Sequence, residues 1–165
     1  MACSDTSHPN KLPFEGVLTL VDTQSDKPPS GARQHNVVLT KKAALAALPG
    51  LIGMAVGFKT GFEGHDARQK CGVITSADLD GNKVVVHGFI YARDFPEIEG
   101  KIMNSKGNPM GMSYELADAH VEDMRAEVWT LTRAHFTGAA ILLREKAAYK
   151  NTSFEITRKM KVRAA

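Results

Sequence analysis

Apolar and polar positions alternate with a period of two along most of this chain, and the breaks in that alternation divide it into short elements. "FEGVLTLVD" reads as a first strand, followed by the Pro- and Gly-containing loop "TQSDKPPSGARQ" and a short strand "HNVVLT". In "TKKAALAAL" the spacing changes to a helical one, with Thr40 placed to cap the helix and Pro49-Gly50 to end it. "IGMAVGF" is a strand and "KTGFEGHDARQK" a polar loop. "CGVITSAD" and "KVVVHGFIYA", joined through "LDGN", form a hairpin, because Asp80-Gly81 suits a tight turn. "DFPEIEGKIMNSKG" predicts a second helix, capped by Asp94, with Pro96 in its first turn and Gly107 after its end. "MGMSYELAD" and "EVWTLTRAHF" are two further strands, antiparallel to each other, and "TGAAILL" is apolar throughout, as in a strand buried on both faces.

These elements predict a single β-rich α+β domain: a barrel-like antiparallel sheet with a few helices. Residues 1–12 are expected to form a disordered polar leader, 13–157 the domain, and 158–165 a basic tail or the start of a linker. At 165 residues the chain is long enough to bury a real core. It has no apolar run near the ~20 residues of a membrane span and no signal-peptide pattern at its start, which makes cytoplasmic synthesis the default. Cys3 in the leader and Cys71 in an apolar stretch make a poor disulfide pair and fit a reducing compartment. The net charge of +3 is too small to argue for nucleic acid. From Arg144 onward seven Lys/Arg face only Glu145 and Glu155, with just Tyr149 and Phe154 as aromatics, whereas a single-strand binder interleaves aromatics with its cations.

The chemistry centres on "GMSYE". Alternation puts Met110, Met112, Tyr114 and Leu116 on one strand face, the core side, and Gly111, Ser113 and Glu115 on the other. A surface serine is the ordinary reading of such a position. The segment is not a nucleophile elbow, and no Gly-rich phosphate loop occurs in the chain. A serine nucleophile needs a base and usually a third group to orient it. Of six histidines, His8 lies in the leader, His35 has no distinguishing context, and His87 sits among valines as a structural residue. His65, His120 and His135 remain as candidates. "HVED" and "HD" also offer metal-ligating types, but without the i,i+4 or CxxC spacing of zinc sites.

Taken in order, "GHDARQKCGVITSADLDGNKVVVHGFIYARDFPE", "GMSYE" and "FTGAAILLREKAAYKNTSF" resemble the prohead proteases of tailed bacteriophages, relatives of the herpesvirus assemblins. The resemblance spans roughly residues 14 to 156. It implies an assemblin-like fold and a serine endopeptidase with Ser113 as nucleophile and His65 as general base. Many phage relatives carry a glutamate in the final apolar strand, where this chain reads Thr137-Gly138-Ala139. The assemblins instead use a second histidine followed by arginines near the oxyanion hole. His135 is then the expected third member, with Glu115, His120 or no third group as alternatives, and Arg144 marks the oxyanion region. The resemblance further implies capsid and scaffold proteins as substrates, self-cleavage, action inside the immature procapsid in the host cytoplasm, and a possible homo-oligomer. It implies no cofactor, no metal, no membrane and no specific nucleic acid. An inactive protease-fold scaffold or structural assembly module is the alternative.

Overall fold

The computed structural model describes residues 8–103 and 109–157. Eight strands form one sheet: β1 (Leu12–Leu20), β2 (Val37–Leu39), β3 (Ala55–Phe58), β4 (Lys70–Asp80), β5 (Lys83–Ile90), β6 (Met110–Val121), β7 (Trp129–Leu143) and β8 (Ser153–Ile156). Two helices, α1 (Lys41–Ala47) and α2 (Pro96–Met103), complete the regular structure with two short 3-10 turns. The leader up to Ser7, Gly107 and the basic tail from Arg158 lie outside the described residues.

The sheet runs β2-β7-β3-β4-β5-β1-β8, with β6 on the other edge of β7. Most ladders are antiparallel, as expected, but β2 and β3 both pair with β7 in parallel, so the sheet is mixed. The reason is α1. Parallel strands need a crossover connection, and this helix carries the chain from one end of β7 to the other. Thr40 caps it as predicted, its Oγ1 accepting from the Ala43 N–H at 3.1 Å. Buried Ala43, Ala44 and Ala47 have no bulk to hold the helix off the sheet. Pro49 does not stop the chain outright; it opens a 3-10 turn over Leu48–Leu51.

"EVWTLTRAHF" and "TGAAILL" join into one 15-residue strand, β7. At about 3.3 Å per residue it is roughly 50 Å long, long enough for β2 and β3 to share one edge. The β4–β5 hairpin closes where expected, although Asp80 already pairs with Lys83, so that the loop residues are Gly81, at φ 60°, and Asn82. Glycine at the first loop position suits the right-handed twist of the flanking strands. Asp94 is engaged otherwise than as a simple cap: its carboxylate accepts from Asn10 Nδ2 at 2.8 Å, tying the start of the chain to the approach to α2.

The sheet curls over a core that includes Phe14, Leu18, Val56, Phe58, Ile74 and Ile141, all 2% exposed or less. Closure comes where β1 and β8 meet β6 without pairing to it. A Cβ on Gly16 of β1 would lie 2.5 Å from Met112 Sδ and 2.8 Å from the Ser153 carbonyl oxygen, so glycine is what permits this approach. Thr152 seals the seam: its Oγ1 accepts from the Met112 N–H at 3.1 Å and donates to the Tyr149 carbonyl at 3.0 Å. The segment after β7 also pins the 22–36 loop, with Asp26 N–H donating to the Ala148 carbonyl and Lys150 N–H to Asp26 Oδ2, each at 2.8 Å. One wall of the cavity described next is set in this way.

Candidate active site

Ser113 and Glu115 stand two residues apart on one face of β6, about 6.6 Å along the strand. Their partners on β7 are Ala140 and Gly138. The 59–69 loop brings His65 to this face. Phe62 is buried, stacks on Phe58 at 5.4 Å, and its carbonyl accepts from the Leu143 N–H at 2.8 Å, which anchors the loop to the end of β7. Asp66 folds the rest of the loop back, accepting from the Arg68 N–H at 2.9 Å and from Gln69 Nε2 at 3.1 Å. From this anchored loop His65 Nδ1 reaches Glu115 Oε1 at 2.8 Å.

Ser113, His65, Glu115 and Thr137 line one cavity of about 790 Å³, together with Lys27–Ala32 of the pinned loop and Tyr114 and Leu116 from the other face of β6. An ionised carboxylate can only accept, so the Glu115 contact keeps the proton on Nδ1 and leaves Nε2 with a free lone pair. Burial pulls the His65 pKa below its ordinary 6.5; Glu115 opposes that, and Lys70 adds to it. The imidazole is therefore neutral at neutral pH, the form in which a histidine can accept a proton.

His135, expected as the orienting partner of His65, stands elsewhere. It is exposed on β7 opposite Ala117, three residues or about 10 Å of strand from Gly138, and does not line the cavity. A bulge between Glu115 and Leu116, which skips Thr137, separates it from the Ser113–Glu115 stretch. His120 is exposed and opposite Arg133. Glu115 is thus the residue whose contact sequence reasoning left undecided, although its shared face with Ser113 was readable from alternation.

No protein-family model and no curated protein matches this chain. Among solved structures it is similar to the bacteriophage T4 capsid assembly protease, gp21, at 12% identity over 77% of this chain and 80% of that one, with a TM-score of 0.55. A KSHV protease bound to a hexapeptide phosphonate inhibitor matches at 11% identity over 88% of this chain and 65% of that one, with a TM-score of 0.49. The chain has the assemblin-like fold.

In that frame Arg144 follows β7, its Cα against Gly111 and its N–H donating to the Pro109 carbonyl at 3.0 Å. Among the described residues its buried Nε has no hydrogen-bond partner, and the residue does not line the cavity. Cys71 is no competing nucleophile: it is fully buried, and desolvation pushes its thiol up to about 12. His87 pairs across β1–β5 with Glu15 at 3.7 Å, and His35 stacks on Trp129 at 4.3 Å. Among the described residues, no group of three or more His, Cys, Asp or Glu side chains is arranged to hold a metal ion.

Proposed function

We propose that the protein is a serine endopeptidase whose triad is Ser113, His65 and Glu115, with Glu115 in the orienting place expected of His135. The observation that carries this reading is the 2.8 Å contact from His65 Nδ1 to Glu115, on the same strand face as Ser113. Nε2 of His65 accepts the Ser113 proton as Oγ attacks the scissile carbonyl, and returns it to the leaving amine. Glu115 holds the tautomer and stabilises the imidazolium that forms in between. The oxyanion is assigned to backbone N–H groups near Ser113 rather than to the Arg144 side chain, which does not line the cavity. No group outside the chain is required by these steps.

The fold supports a role in head maturation, since the T4 neighbour is a capsid assembly protease. The substrates would be scaffold and capsid proteins, and this chain itself, inside the immature procapsid. A fluorophosphonate serine reagent tests the core of the proposal. It should label wild-type protein at Ser113, located by mass spectrometry, and leave Ser113→Ala and His65→Ala unlabelled. Equal labelling of wild type and Ser113→Ala would remove Ser113 from the nucleophile's place, and no labelling of either would favour an inactive scaffold with a protease fold.

A further inference from the structure

Gly138 lies directly across the β6–β7 ladder from Glu115. Its backbone is not in the left-handed region, so conformational freedom does not explain the glycine. Space does. A Cβ at position 138 would lie 2.9 Å from Glu115 Oε2, 3.3 Å from its Cδ and 3.6 Å from its Cβ, and these are the three nearest atoms it would meet. The Glu115 side chain therefore lies across the ladder over Gly138, the one β7 position without a side chain there. One carboxylate oxygen rests above the glycine while the other receives His65 Nδ1 at 2.8 Å. Thr137, skipped by the bulge, lines the same cavity immediately beside this pair. The bulge sets which β7 residue faces Glu115, and a register one residue different would put a side chain beneath the carboxylate.

We infer that Gly138 is a positioning residue: its missing side chain is the seat that holds the Glu115 carboxylate in reach of His65. This rests on the triad reading above, but the seat itself can be tested without it. The atom nearest the added methyl is the far end of a flexible side chain, not backbone. Gly138→Ala should therefore displace the carboxylate while costing little stability.

The experiment follows Gly138→Ala, Glu115→Ala and the double variant by three readouts: thermal melting, NMR titration of isotope-labelled His65, and the rate of fluorophosphonate labelling. The charged groups acting on His65 are Glu115 on β6 and Lys70 on β4, and Lys27, Lys59, Glu63 and Lys146 line the same cavity. Loss of the Glu115 contact removes what raises the His65 pKa, so the titration midpoint should fall in all three variants. Labelling should slow by roughly ten- to a thousandfold in Gly138→Ala, and the double variant should be no slower than Glu115→Ala alone, since both act through one carboxylate. Should Gly138→Ala not fold, the double variant must, because the side chain it collides with is gone; a double variant that also fails to fold overturns the seat. An unchanged His65 midpoint in folded Gly138→Ala overturns it equally. A shifted midpoint with wild-type labelling upholds the seat and refutes the triad.

Discussion

The β4–β5 and β6–β7 pairs are both antiparallel, both bulged, and both contain a glycine under close approach, yet they use it differently. In the first, a Cβ on Gly88 would lie 2.0 Å from the Val73 carbonyl oxygen and 2.8 Å from the Phe14 ring. The carbonyl, a backbone atom, cannot move without moving a strand. In the second, Gly138 faces the tip of Glu115, which can swing away. One glycine lets backbones meet, and a substitution there breaks the sheet. The other makes room for a functional group, and a substitution there should break the chemistry and spare the sheet.

The sharpest way to separate the two regions is to remove chemistry without touching structure. Ser113→Ala should lower the rate of substrate cleavage by several orders of magnitude, roughly 10⁴-fold or more, with the melting temperature nearly unchanged. His65→Ala should match it, and the double variant should be no worse, since the two act as one unit. Additive losses would show that they do not cooperate. Gly88→Ala is the opposite case. Overpacking against backbone should destabilise the fold by about 2–4 kcal/mol, while the specific activity of the remaining folded fraction holds. A folded, stable Gly88→Ala that has lost activity would erase the distinction between the two ladders.

Within the β6–β7 pair the effects should grade by contact with His65. Glu115→Gln should slow turnover by about 10²–10⁴-fold, as removing the orienting acid of a triad does. Its pH profile should move as well. The base works unprotonated, so wild-type activity should persist as pH falls through 6.5 and drop only below it, because burial holds the His65 pKa down. Losing Glu115 should carry that midpoint further toward acid. His135→Ala should change the rate less than twofold, an exposed residue outside the cavity having no part in orienting His65; a tenfold loss would return it to the site. Smallest of all, Lys70→Gln should raise the midpoint slightly, since Lys70 is exposed and its charge largely screened. A fall instead would mean that the charge acting on His65 has been misassigned.

Local interactions are what the sequence by itself determined. Alternation over "MGMSYEL" places Ser113 and Glu115 on one face because a strand's period of two is set by backbone geometry alone. The Thr40 cap and the tight turn at Gly81 are equally local, each closed within a few residues. The succession of β1 to β6 along the chain was legible for the same reason, whereas β7 reads as two strands and β8 was not foreseen. Three things required the folded chain. The parallel pairing of β2 and β3 with β7 depends on where α1 packs, over a stretch of chain that no local pattern spans. The bulge at Glu115 and Leu116 skips one residue of β7, so alternation read through "TRAHFTGAA" loses its phase and does not tell which residue faces Glu115. The partner of His65 was decided by tertiary structure too, because a loop anchored by Phe62 some fifty residues before β6 delivers the imidazole to a carboxylate rather than to another histidine. Such a meeting depends on how the whole sheet curls, and the free energy that bends it comes from core burial along the entire chain rather than from the residues that meet.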